Sequence, residues 1–225
     1  MITRVNVSNL KDWRQAAFKA QGGPQIYNLL KEELDSRGRK QLNDYISETA
    51  RYISDIPADV AKSLMEEIAG AQQRGIRPDA ISSILKLKFP TLVNTKIKML
   101  ARTGTSSASS NLTRIRSEDL GIPCFVWDTS EDQRVRPSHR IMDGVVVFWS
   151  DLPSPEELNG GKPVLGRYIA GDAPNCRCFC RPVLTLEDLF SAKKTSVRVY
   201  LNGHIEYMTR QKFANLSGIE SRLAA

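Results

Sequence analysis

The residues able to do chemistry are crowded into one span. All four cysteines, Cys124, Cys176, Cys178 and Cys180, lie there with His139, one of only two histidines in the chain. Cys176, Cys178 and Cys180 alternate, so in an extended segment their side chains share one face. Neighbours on one face do not readily pair as disulfides. The set therefore calls for a partner from elsewhere in the chain, or for a metal. Zinc takes three or four thiolate and imidazole ligands in a tetrahedron. His139 with Cys176 and Cys178, joined by Cys180 or Cys124, could supply them as a structural site. The Cys-x-Cys spacing is rarer in zinc sites than Cys-x-x-Cys, and buried reduced cysteines are common, so a metal-free role stays open.

A second chemistry is suggested by Asp132, Arg134, Arg136, His139 and Asp143, which bring acids, a base and cations into one short stretch. A metal-dependent nuclease or other phosphate-handling hydrolase would use such a set, with Asp or His as base and Arg or a metal stabilising developing charge. The simpler reading is structural. Asp132, Arg134 and Arg140 can tie a turn by charge-assisted hydrogen bonds, and Asp143-Gly144 can be the turn into the next strand. A zinc deaminase needs His-x-Glu and Pro-Cys-x-x-Cys. Here Arg140 and Ile141 follow His139 and the cysteines are one residue apart, so that class is excluded.

Charge offers a third function. The net charge of +7 sits almost wholly in the first half: residues 1–120 hold 19 Lys/Arg against 13 Asp/Glu, and residues 121–225 hold 13 against 12. From Ala80 to Ser117 there is no acid, but there are Lys86, Lys88, Lys96, Lys98, Arg102, Arg114 and Arg116. Such a stripe suits the phosphates of double-stranded DNA without sequence preference; a solvated basic helix face is the equal alternative. No apolar run approaches the ~20 residues of a membrane span. The N-terminal residues lack the apolar segment of a secretory signal, so synthesis in the cytoplasm is the expectation.

Three regions would position these groups. Residues 1–120 read as a helical arm or bundle. Apolar residues recur at helical spacing over 29–53, then at Val60, Leu64 and Ile68, then at Ile81, Ile84 and Leu85 up to Pro90. Thr91 is a candidate cap for a last helix whose stripe is Val93, Ile97, Leu100, Ala101, Ala108, Leu112 and Ile115, stopping at Gly121. Gly104 invites either a close approach or a break in that helix. Residues 121–190 read as a small α+β module, with strands at Phe125–Trp127 and Val145–Phe148, a Pro/Gly-rich ordered loop over 150–174, and a short helix from Leu184 to Phe190. Trp127 and Trp149 read as core. Residues 191–225 read as a hairpin about Asn202-Gly203, which accepts the positive φ angles of a type I′ turn, with His204 solvent-facing and a tail behind it. The fold class is α+β, a mostly helical N-terminal half followed by short antiparallel strands and a C-terminal β-hairpin.

The ordered blocks are Ala101-Arg-Thr103, Gly121-Ile, Trp127-x-Thr-Ser-x-Asp132-x-Arg-Val-Arg-x-Ser-His139, Asp143-Gly144 and Ala173-Pro-Asn-Cys176-Arg-Cys178 with Pro182. Together they resemble the phage Mu F-like head morphogenesis proteins over roughly residues 60–185. The resemblance implies a minor capsid protein of a tailed phage or prophage. Such a protein assembles in the host cytoplasm into the head interior or portal region, touches the portal and major capsid proteins and sometimes DNA, and meets no membrane. It also implies His139, Cys176 and Cys178 as metal positions. Relatives can carry Cys where this chain has Arg136 and His139, so Arg136 removes one ligand and leaves Cys180 as the substitute. Gly104 stands where many relatives have Glu. Some relatives continue into a toxin or ADP-ribosylating domain; the forty or so residues after Pro182 are too few for one, which favours a structural, non-enzymatic member.

Overall fold

The computed structural model describes residues 58–219, except 74, 75, 77 and 164, together with positions 40, 41 and 44. The helical pattern read over 29–53, and everything before it, lies outside the described residues.

Three helices come first: α1 (Ala58–Gln73), α2 (Pro78–Lys88) and α3 (Asn94–Asp119). Proline opens α2, where its missing N–H costs nothing and its φ is already helical. The predicted stripes meet in one apolar core of Leu64, Ile68, Ile81, Leu85, Ile97, Leu100, Ala101, Ala108, Leu112 and Ile115. Val93 does not join it. It is the N-cap of α3 and 70% exposed, and no side chain caps that end, so Thr91 lies in the preceding turn instead. Helix α3 runs unbroken through Gly104. A Cβ there would stand 2.6 Å from Ile68 Cγ2, so the glycine serves close packing on α1 and makes no break.

A five-stranded sheet follows, built from β1 (Cys124–Thr129), β2 (Val145–Phe148), β3 (Cys178–Pro182), β4 (Ser196–Leu201) and β5 (His204–Thr209), in the order β3-β1-β2-β4-β5. Its pairs are antiparallel except β2–β4, which is parallel at Val146↔Val199. The hairpin is therefore no appendage: β4 brings Val197 and Val199 into the same apolar face as Val126 and Val146. Its turn has Asn202 at φ 48° and Gly203 at φ 91°, as the dipeptide demanded.

Four stretches differ from the sequence expectation. The tail contains α6 (Arg210–Ser217), capped by Thr209 at one end and by Gly218 at φ 64° at the other. Phe213 on that helix is fully buried against Phe148 and Phe190, so burial of one ring fixes the segment. The helix expected from Leu184 to Phe190 is a single 3-10 turn, Leu186–Asp188, closed by a reciprocal Thr185/Asp188 capping box. The turn before His139 and the Pro/Gly-rich loop each hold one short helix, α4 (Pro137–Met142) and α5 (Pro155–Leu158), both opened by proline.

Candidate metal centre

Each of the three central side chains is presented by a different device. Ala173-Pro174-Asn175-Cys176 is a type II turn: Pro174 supplies the fixed φ, Asn175 takes φ 56°, and the Cys176 amide donates to the Ala173 carbonyl at 2.9 Å. The turn is tied to α3, where Thr103 Oγ1 accepts from the Asn175 amide at 3.0 Å. Two residues on, Cys178 opens β3 with its side chain buried. Helix α4 delivers His139, which is 1% exposed and edge-on to Trp127.

His139 Nδ1 stands 3.4 Å from Cys176 Sγ and 3.3 Å from Cys178 Sγ. Its other nitrogen, Nε2, lies 3.0 Å from the Tyr168 hydroxyl, which donates to Glu156 Oε1 at 2.7 Å. A carboxylate only accepts, so the Tyr168 oxygen must accept from Nε2–H. That leaves Nδ1 facing the two sulfurs. The carboxylate–tyrosine–histidine chain fixes the ring, as outer partners of metal-bound histidines do.

The neighbouring Cys178 thiol and, after it, contact with His139 hold the Cys176 thiol well below its usual range. The Cys176 side chain and burial push Cys178 up. The Trp127 indole N–H has no other hydrogen-bond partner and favours a thiolate at Cys178.

These atoms fit a metal. Tetrahedral zinc with ordinary bond lengths places imidazole nitrogen and thiolate sulfur about 3.6 Å apart. The observed separations are close to that, and all three ligand atoms lie within 4.8 Å of one another. Three ligand atoms gathered around one point could hold the ion.

The remaining candidate residues fall elsewhere. Cys180 Sγ is turned to the Ala170 carbonyl at 3.5 Å, and burial pushes its thiol up. Cys124 belongs to the opposite face of the sheet. Asp132 accepts from the Arg134 amide at 2.9 Å and pairs with Arg177, tying the loop to β3. Arg140 donates to the carbonyls of Gln133 and Val135. Asp143 Oδ1 accepts from the Thr129 amide at 2.8 Å, and Gly144, at φ 70°, donates to the Trp127 carbonyl. Asp132 and Asp143 are thus engaged with separate partners rather than gathered on His139. The basic stripe does not form one face. Lys86, Lys98 and Arg102 are exposed and Lys96 is half-buried. Lys88 pairs with Glu67, Arg114 pairs with Glu118, and Arg116 is 9% exposed.

Two groups were invisible to motif reading. Tyr168 and Glu156 lie in the Pro/Gly-rich loop; the run Ser154-Pro-Glu-Glu is a helix-start signal that marks where Glu156 is held. Asp172 was the other. Its Oδ1 accepts from Ser107 Oγ at 2.7 Å and from Asn111 Nδ2 at 3.1 Å, and burial pushes its carboxyl up to about 7. Beside it Gly171, at φ 99°, lies so close to α3 that a Cβ would meet Ser110 Oγ at 2.4 Å.

No solved structure matches the chain. A protein of Haemophilus influenzae strain Rd, described as uncharacterized, is 26% identical over 146 residues, which is 64% of this chain. The match spans only 30% of that protein's length. The family described as Phage Mu protein F like protein matches residues 62–181, from α1 through the turn of Cys176 to the end of β3. The match covers more than half of the chain and takes in all three residues of the cluster, and the chain belongs to the Phage Mu protein F like family.

Proposed function

We propose that this protein is a minor head protein of a tailed phage or prophage, a non-enzymatic part built into the virion through portal and major capsid contacts. The observation that carries the reading is the family match across both the helical layer and the cysteine-bearing module. Among the described residues no helix is long and apolar enough to cross a membrane, in keeping with a head component. Mass spectrometry of purified heads from the producing strain tests it: the chain should be present in a fixed ratio to the portal protein. Heads complete without it would overturn the reading.

Within that role, His139, Cys176 and Cys178 hold a structural zinc that pins α4, the Ala173–Cys176 turn and β3 together. When bound, zinc supplies only cross-linking, and the residues' own work is to orient lone pairs and exclude water. Elemental analysis with thiol counting is the test. About one zinc per chain, with thiols released by a chelator, supports the site; no metal and freely reactive thiols would refute it. Lys86, Lys98 and Arg102 are exposed and support weak, sequence-independent contact with packaged DNA. Such binding should fall steeply with salt. The hydrolase alternative draws no support from Asp132 and Asp143, whose carboxylates are committed to the loop and strand that hold them.

A further inference from the structure

A pocket of about 660 Å³ is lined from α4, from α5 with the loop after it, and from the turn of Pro174. The two helices pack against each other, and the turn is tied to α3, so the walls are held. Pockets for small organic ligands span roughly 300 to 1,000 Å³, and this one has room for more than a bare ion.

Three of its residues bring hydrogen-bond donors. Arg136, the N-cap of α4, is exposed, and its guanidinium donates to the Pro174 carbonyl. It has no carboxylate partner among the described residues, so its other N–H groups are open to a ligand. Lys162 is exposed and also lacks a carboxylate partner among the described residues. The Gly161 amide donates to the Glu156 carbonyl at 2.8 Å, a turn that returns Lys162 to the pocket after α5. Ser138 is the third. It lines the pocket, is only 8% exposed, and its hydroxyl has no hydrogen-bond partner among the described residues. A buried hydroxyl left unpaired costs free energy that a bound acceptor would restore.

The pocket's one acid does not oppose these groups. Glu156 is committed to Tyr168 through one oxygen and is buried at the other. Two cations and a free hydroxyl therefore select an anion, and the count of charges decides which. A carboxylate or a phosphodiester brings one negative charge. A phosphomonoester brings about two at neutral pH, with three terminal oxygens as acceptors. A guanidinium fork can take two of those oxygens, leaving the third for the hydroxyl and the ammonium. Pro137, Leu165 and Pro174 give the same pocket an apolar wall.

We propose that this pocket binds an organic phosphomonoester, with the phosphate on Arg136, Lys162 and Ser138 and the organic part on the apolar wall. The site goes beyond the minor head role and needs no metal at the cysteine cluster. The same chemistry is offered by a free nucleotide and by the 5′-terminal phosphate of a nucleic acid strand.

Calorimetric titration of the full chain tests this. Adenosine 5′-monophosphate should bind saturably, one molecule per chain, and adenosine should not bind. A dinucleotide with only its internal phosphodiester should bind roughly tenfold more weakly than the monophosphate. Arg136→Ala should weaken the monophosphate roughly tenfold, and Arg136→Lys less, because charge survives and the fork does not. Since Arg136→Ala also removes the bond to Pro174, Lys162→Ala serves as the second variant. It breaks no hydrogen bond or ion pair among the described residues, and should weaken binding with the unfolding midpoint unchanged. A short single strand with a 5′-phosphate separates the two sources: tighter binding than the monophosphate points to a strand end, weaker binding to the free nucleotide. No saturable binding of either probe would overturn the proposal. So would equal binding of adenosine, or an affinity that neither variant moves.

Discussion

The two faces of the sheet are made by the same strands and differ in what they can hold. Strand alternation sends Cys124, Val126, Val146, Phe148, Val197 and Val199 to one side, where α6 and the 3-10 turn close over them. It sends Phe125, Trp127, Val145, Val147, Cys178, Cys180 and Tyr200 to the other, beneath the loop that carries Tyr168 and Ala170. The first face is apolar throughout, and its one thiol, Cys124, is pushed up by burial and acts as a small hydrophobe. The second carries similar apolar bulk but is threaded by a polar chain from Glu156 to the cysteine pair. Such a chain costs desolvation and stabilises only when every member is satisfied. The lesson is one of division: a dry face supplies free energy, and a partly polar face spends it on fixing an imidazole. The same residue type means different things on the two sides.

Removing metal from the loaded protein should be the largest perturbation, on the order of 5 kcal/mol. His139→Ala should make a chelator redundant, so that unfolding midpoints with and without it coincide. A chelator shift as large as in the wild type would place the metal elsewhere and break the comparison. Phe213→Ala on the dry face should cost about 4 kcal/mol by denaturant unfolding, with zinc per folded chain unchanged. Loss of metal from the folded variant would mean that the faces are not independent.

The junction between α3 and the sheet gives a smaller, pH-dependent signature. Burial keeps a proton on Asp172 up to about pH 7, where the unfolded chain releases it near 3.8. Between those values the native state binds more protons, so stability falls as pH rises through the window and levels off above it. Asp172→Asn keeps an oxygen for Ser107 and Asn111. It should flatten that slope and gain roughly 2 kcal/mol above neutrality, read from unfolding midpoints across pH. A slope unchanged in the variant would assign it to another group. At the small end, Arg114→Ala removes a surface i,i+4 pair with Glu118 and should change stability by no more than about 0.5 kcal/mol.

How much of this the sequence disclosed depended on range. The helical stripes from Val60 onward, the Asn202-Gly203 hairpin and the strands at Phe125–Trp127 and Val145–Phe148 rest on local period and turn chemistry, and the fold agrees with them. Of the metal set, His139, Cys176 and Cys178 come together, whereas Cys180 does not. Period 2 puts Cys178 and Cys180 on the same face, but only the three-dimensional path of the loop decides which sulfur meets His139. Glu156, Tyr168 and Asp172 lay beyond reach because their partners are distant in sequence and no motif joins them. Helix α6 was missed because its single anchoring ring, Phe213, gives no amphipathic repeat in eight residues. The basic stripe read from composition breaks up because residues two apart on a helix point to different sides.

The junction has a further consequence, in the order of events as the chain folds. The hydrogen bonds that seat the sheet module on α3 join residues 65, 61 and 72 positions apart, and they are polar. The α2–α3 core and the β4–β5 hairpin close over far shorter loops and bury apolar surface at once. Entropy of loop closure therefore favours two separately formed bodies whose docking comes last. Substitutions at Ser107, Asn111 or Asp172 should then speed unfolding and leave the refolding rate nearly untouched, with φ-values near zero, whereas substitutions within the hairpin should slow refolding.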